Sequence, residues 1–176
     1  MFPWESAATG CEVQITNGKC GPWCMYEQHV TGDVGFAVRQ YWYQTHDIEW
    51  LGTVGWPLAR GIATYYAARL TPMANASSSM HDSPPSAGGH TWEWVGAMGP
   101  DEYQYPVNNS AYTNYVVKLA LEFAGEAAEI LGLAVPSDWA TKVRVAPIFG
   151  GQSFSGLFAV AFNWSVHRPL VFILQL

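Results

Sequence analysis

Charge is scarce in this sequence. Asp, Glu, Lys and Arg make up 12% of its 176 residues, with eight basic against fourteen acidic and a net charge of −6. That balance excludes the basic face a nucleic-acid partner requires. Cysteine is nearly absent as well. An odd count of three, Cys11, Cys20 and Cys24, argues against a disulfide framework and reads as buried or loop thiols. Cys20-x3-Cys24-x4-His29 matches no common structural zinc spacing, so no metal is expected. The N-terminal MFPWESAATG carries neither a basic start nor an apolar signal segment. The longest greasy stretch, LFAVAFNWSVHRPLVFILQL, is interrupted by His167, Arg168 and Pro169 and falls short of the roughly 18–20 apolar residues of a membrane span. No membrane partner is expected, and no compartment is implied. Neither a G-x-G-x-x-G nor a Walker A sequence occurs, and Gly151-Gln152-Ser153-Phe154-Ser155 ends in Ser where a nucleophile elbow needs Gly.

What the chain does have is apolar and aromatic residues: 49% hydrophobic, with nine Trp and nine Tyr. It is long enough for one domain with a substantial core. Flat aromatic faces serve cores and also stack on sugar rings. After a turn-rich start (1–25), Val30, Val34, Val38 and Tyr41 recur at helical spacing from Tyr26 to about Gln44, with Phe36, Trp42 and Tyr43 on a second face. Gly52–Gly55 reads as a loosening of the chain, and Pro57 as the first turn of a helix carrying Leu58, Ile62, Tyr65, Tyr66 and Arg69. Residues 71–90 are a Ser/Pro/Gly-rich insert in which His81-Asp82-Ser83 cannot converge as a triad. TWEWVGAMG (91–99) has the look of a short strand. A long helix is expected from about Asn109 to Leu131, near 35 Å at roughly 1.5 Å per residue. Its buried stripe is read as Tyr112, Tyr115, Val116, Leu119, Phe123, Ala127 and Ile130, with Lys118, Glu122, Glu126 and Glu129 outward and Gly132 as its stop. Ser137 is a possible N-cap for a further short helix.

Between the short strand and the long helix lies GPDEYQYPVNNSAYTN (99–114). Two roles are open for its acids. Asp101 and Glu102 suit the positive end of a helix. Alternatively Glu102, beside the charge of Asp101 and among Tyr103, Tyr105 and nearby Trp, is a carboxyl kept protonated to act as a general acid on a glycosidic oxygen. Asn108 and Asn109 are candidates to bond neighbouring loops or hydroxyls.

Three blocks, FPWESAATGCEV (2–13), YEQHVTGDVGFAVRQYWYQTHDIEWL (26–51) and GPDEYQYPVNNSAYTNYVVKLALEFA (99–124), together resemble the catalytic core of glycoside hydrolase family 65. That family includes acid trehalases, protein-glucosylgalactosylhydroxylysine glucosidases and inverting disaccharide phosphorylases. The resemblance covers about residues 2–146, broken by the 71–90 insert. It implies a mainly α fold, an incomplete (α/α)6 barrel with a short β segment before the catalytic loop. It also implies action on an α-glucoside or a glycosylated protein with inversion, and no oligomeric state. The glutamate of the family's G-P-D/N-E-Y motif is the general acid, and here that position is Glu102. Trp4 and Glu5 (P-W-E-S), Glu12 (G-x-E), Gln28, His29 and Asp33 (E-Q-H-x-x-G-D), with Asp101 and Tyr103 beside the acid, are carried over as substrate-binding positions. For each of the first six a packing or capping role is equally open. No cofactor is implied, and inorganic phosphate is a co-substrate only for a phosphorylase.

The motif wording is closer to the hydrolases than to the phosphorylases. An inverting hydrolase also needs a second carboxyl roughly 6.5–9.5 Å from the acid. From Thr141 to Leu176 there is no Asp or Glu. The family's Trp-Asp motif, which precedes P-W-E-S, is missing too. Residues 147–176 therefore read as a divergent, non-native tail after a partial catalytic domain (1–146). The chain by itself is expected to be incomplete and inactive, at most a sugar-binding fragment.

Overall fold

Helical spacing of apolar residues becomes helix wherever another helix covers it. The computed structural model describes residues 1–16, 18–73 and 91–143. The tail (147–176) and residues 74–90 of the insert lie outside the described residues.

The order begins with a small antiparallel pair, β1 (Ile15–Thr16) and β2 (Lys19–Cys20). A one-turn helix α1 (Pro22–Tyr26) follows, started by proline at its first position. Then come α2 (Val30–Thr45), α3 (Ile48–Trp50), a wide π-helical turn over Leu51–Gly55 and α4 (Trp56–Arg69). The short strands β3 (Thr71–Pro72) and β4 (Trp92–Glu93) pair antiparallel, and Met73 N donates to Thr91 O at 2.8 Å, so residues 71–73, read as part of the insert, belong to a ladder. The chain closes with α5 (Ala111–Ile130) and α6 (Ser137–Lys142).

Several sequence expectations change. The helix read from Tyr26 to Gln44 starts only at Val30; Tyr26 ends α1, and Glu27, whose ψ of 56° leaves the helical region, separates the two. Gly52–Gly55 does not loosen the chain; it lies inside the π-helical turn that runs straight into α4. Ser137 is the first helical residue of α6, and Pro136 takes the cap position. The strand read over 91–99 contracts to Trp92–Glu93, with Ala97 making a separate bridge to Val107. Cys20 and Cys24 are joined as a disulfide, where thiols were expected; the single turn of α1 brings their Cα atoms to 5.7 Å, within disulfide range. Cys11 remains free and exposed. Gly132 does end α5, with a φ of 67°.

The core lies where α2, α4 and α5 meet, with α6 and Trp94 closing it. Small residues rather than large ones decide its shape. The inward stripe of α2 is Thr31, Gly32, Gly35, Val38 and Trp42, while Tyr41, expected inside, is exposed. On α5 the buried positions include Val116, Val117, Ala120, Leu121, Phe123, Ala124, Ala127 and Ala128. Tyr112 and Ile130, read as part of the stripe, are exposed. Glu126, read as outward, is half-buried and accepts a hydrogen bond from the Tyr43 hydroxyl at 2.6 Å. Alanines and glycines let three helices approach closely, so α5 buries two faces instead of one stripe.

Gly32 marks the tightest approach. A Cβ there would stand 2.6 Å from Val116 Cγ2 and 2.7 Å from the Tyr66 hydroxyl. Gly61, on the exposed side of α4, would meet nothing within 4 Å. Gly32→Ala is therefore expected to destabilise the chain by about 1–3 kcal/mol, and Gly61→Ala to stabilise it by about 0.5–1 kcal/mol. Urea unfolding of the two variants checks the pair, and equal midpoints would contradict this packing.

Candidate active site

The loop from Trp94 to Ser110 is held shut by its own backbone and by two asparagines. Ala97 and Val107 exchange N–H to O bonds at 2.7 and 2.8 Å. Asn108 Oδ1 accepts from Gly96 N at 3.1 Å, and Asn109 Oδ1 from Trp94 N at 3.0 Å. The second end of the loop is capped by Ser110, whose hydroxyl accepts from Thr113 N at the start of α5. Met98 ties the loop to the turn after α1: its N–H donates to Tyr26 O at 2.8 Å, and its carbonyl is 3.2 Å from His29 Nδ1.

Glu102 sits at the tip of this loop. Its N–H donates to Gly99 O at 3.1 Å, closing a turn, and its φ is 57°. A non-glycine residue in the left-handed region costs roughly 1–2 kcal/mol, so the loop imposes this conformation on it. The side chain is exposed, and Oε2 accepts a hydrogen bond from the Trp23 indole Nε1 at 3.1 Å. Gly99 leaves room for Asp101, whose Oδ1 would be 3.1 Å from a Cβ at that position. Tyr103 is 89% exposed, so it gives Glu102 no apolar cover. Tyr105 stacks on Tyr26 with ring centroids 5.9 Å apart.

The other expected positions fall into two groups. Trp4, Glu5 and Glu12 belong to the N-terminal loop, where Glu12 accepts from Trp4 N at 2.7 Å and from Gln14 N at 2.8 Å, and Glu5 bonds the Gln14 amide. Both oxygens of Glu12 thus hold the loop's own backbone. Gln28, His29 and Asp33 lie at the start of α2. Gln28 is buried and bonds Met25 O and the Tyr65 hydroxyl. His29 is buried, edge-on to Tyr112, whose hydroxyl donates to Asp33 Oδ1 at 2.7 Å. Burial and that bond push Tyr112 up to about 12, which keeps it protonated as the donor.

Two residues beside Glu102 were not singled out in the sequence. One is Trp23, just described. The other is Glu27, whose side chain is fully buried with no hydrogen-bond partner on either carboxyl oxygen. Burial first, and the charge of Glu102 second, push Glu27 up to about 7. Burial likewise lowers His29, against the upward pull of Asp33, Met98 O and Glu102. His29 Nε2 and Glu27 Oε2 are 3.9 Å apart, yet each group is driven towards its neutral form and the distance exceeds a hydrogen bond. We read a carboxylic acid beside a neutral imidazole, not a salt bridge. Position in the chain offered a signal: Trp23 and Glu27 are four residues apart, the spacing of one helical face. Among the described residues no group of three or more His, Cys, Asp or Glu side chains is arranged to hold a metal ion, and no helix is long and apolar enough to cross a membrane.

Because the folded chain keeps a proton on Glu27 that the unfolded chain has released, this group's contribution to stability is present below about 4.5 and lost as pH rises through about 7. His29 acts in the opposite sense, its contribution falling as pH drops through its ordinary range. The difference between wild type and Glu27→Gln isolates the first term. The wild type should lose stability relative to Glu27→Gln between pH 5 and 8 in thermal melts. A constant offset across that range would show that Glu27 ionises normally.

Residues 1–146 match the profile of the glycosyl hydrolase family 65 central catalytic domain. The chain is 39% identical over 132 residues to a protein-glucosylgalactosylhydroxylysine glucosidase of Dictyostelium discoideum, covering 74% of this chain and 16% of that protein. It is 32% identical over 154 residues to a kojibiose hydrolase of Flavobacterium johnsoniae, 86% of this chain and 20% of the other. It is also 38% identical over 133 residues to a kojibiose phosphorylase of Halothermothrix orenii, 70% of this chain and 15% of the other. The chain thus spans a fifth or less of the length of these relatives.

Proposed function

The chain belongs to glycosyl hydrolase family 65, and on that premise we propose that it contributes the proton donor, Glu102, to the hydrolysis of an α-glucosidic bond with inversion. The carrying observation is that carboxyl itself: exposed, on a turn forced into the left-handed region, with one oxygen held by an indole N–H. Such a group can reach a substrate oxygen, and its orientation is fixed beforehand.

In this reading the exposed rings of Trp4, Tyr103, Tyr105 and Tyr112 give the open face flat surfaces for a glucosyl unit. Asp33 and Asp101 are the carboxylates available to its hydroxyls, while Gln28 and His29, being buried, shape the wall behind. A water attacks the anomeric carbon from the face opposite Glu102. Glu27 is not the base that activates it, because no solvent reaches its oxygens. The substrate is an α-glucoside, as a free disaccharide or on a glycosylated protein, and the surrounding helices are an arc of an (α/α)6 barrel. No metal or organic cofactor takes part.

The hydrolase reading is supported by the W-E-S-A-x-T-G-x-E and E-Q-H-x-x-G-D wording and by the glucosidase and hydrolase names among the relatives. The kojibiose phosphorylase at comparable identity supports a second reading, in which inorganic phosphate replaces water as the nucleophile. A third is a sugar-binding piece without turnover.

Incubation of this chain as part of a complete family 65 protein with kojibiose and with glucosylgalactosylhydroxylysine, with and without phosphate, separates them. Glucose released without phosphate, and reduced about 10²–10⁴-fold in Glu102→Gln, is the expected result. β-Glucose 1-phosphate formed only with phosphate would move the assignment to a phosphorylase. Unchanged turnover in Glu102→Gln would remove Glu102 as the acid. Saturable sugar binding with no product would leave the non-catalytic reading.

A further inference from the structure

Trp23, in α1, and Glu27, the residue that caps its C-terminal end, are joined by the backbone: Glu27 N donates to Trp23 O at 2.9 Å. Both act on the same partner in a different element. Trp23 touches Glu102 directly through its indole N–H, 3.1 Å from Oε2. Glu27, fully buried and unbonded, feels the charge of Glu102. The turn that follows α1 also grips the backbone of the loop, through Tyr26 O on Met98 N and His29 on Met98 O.

We propose that Trp23 is a positioning residue for Glu102, its indole N–H fixing Oε2 so that the proton to be donated is carried on Oε1. This rests on the reading of Glu102 as the proton donor. In the neutral acid Oε2 is the carbonyl oxygen accepting the indole N–H, and among the described residues Oε1 receives no hydrogen bond. As the Oε1–H bond breaks, its proton bonds to the glycosidic oxygen. The bond from that oxygen to the anomeric carbon breaks with its electron pair left on the oxygen, and water supplies the new bond to carbon, its surplus proton passing to solvent. Glu102 is left as a carboxylate, and the indole bond to Oε2 becomes charge-assisted and stronger. Trp23 thus favours the anion that forms, while Glu27 and Asp101, when ionised, oppose it. A neutral His29 adds no charge.

Side-chain NMR of the chain, without substrate, tests this. The Trp23 indole ¹⁵N–¹H resonance is identified by its loss in Trp23→Phe, or through side-chain connectivity if that variant fails to fold. It should move with pH as the carboxyl beside it ionises, and this movement should vanish in Glu102→Gln. In the same variant the ¹³C-carboxyl midpoint of Glu27 should fall, because a neighbouring charge has gone. A Trp23 resonance that is flat with pH, or that titrates equally in Glu102→Gln, overturns the proposal. So does a Glu27 midpoint that does not change. These readings need no turnover, so an inactive chain with the expected titrations counts against the glycosidase assignment and not against the Trp23–Glu102 bond.

Discussion

The Tyr66 hydroxyl, buried between three helices, donates to the carbonyl of Gln28 at 3.0 Å, and this bond decides where α2 can begin. Burial raises the phenol far above its ordinary value, so it remains a donor throughout the physiological range. Its ring packs edge-on to Trp94, which is also fully buried, at 5.3 Å. Gly32 is the other half of the arrangement, because only a residue without Cβ lets α2 come this close to the Tyr66 oxygen and Val116. Remove either part and the Gln28 carbonyl loses the hydroxyl donor that anchors the 27–29 turn to α4.

From that anchor the site follows in two steps. The turn presents Tyr26 O and His29 to Met98, which fixes the first limb of the loop. Trp94, at the base of the same limb, exchanges bonds with Asn109 and so fixes the second limb against the first. Glu102 lies between the limbs at the point where the chain reverses, and its left-handed φ is the geometric consequence of closing the loop in so few residues. The exposure of the carboxyl and the rigidity of its support have the same origin.

Much of this was legible from residues alone, and the failures share a cause. Helices with large apolar residues at regular spacing, such as α4 and α5, were found close to their true limits, and Gly132 ended α5 as expected. What failed was the choice of buried face on α2 and α5. Large residues were assumed to point inward, whereas Gly32, Gly35, Ala120 and Ala124 do so because helices meet there at close range. The break at Glu27 was also invisible, since Tyr26-Glu27-Gln28-His29 contains neither proline nor glycine to announce it. Its reason is tertiary: the peptides on either side are committed to Tyr66 and Met98. Glu102 was found by its motif, but Trp23 and Glu27 required knowing that α1 packs on the loop.

The shortage of charge in the sequence explains the electrostatics of the site. A buried carboxyl can stay ionised if a cation stands next to it, but no lysine or arginine is among the groups that act on Glu27, and four of the described cations are engaged elsewhere. Arg69 lies over Trp94, Lys118 pairs with Glu122 and Lys142 with Asp138. Arg39 lies over the Tyr43 ring. What stands near Glu27 is the like charge of Glu102 and a histidine that burial has made less basic. Ionising Glu27 therefore costs both solvation and repulsion, and protonation is the cheaper state until about neutral pH. A lysine or arginine in its neighbourhood would remove that cost and fix a permanent anion behind Glu102. With none there, the back of the loop stays uncharged over most of the acid range, and the exposed carboxyl is left to the indole on one side and its substrate on the other.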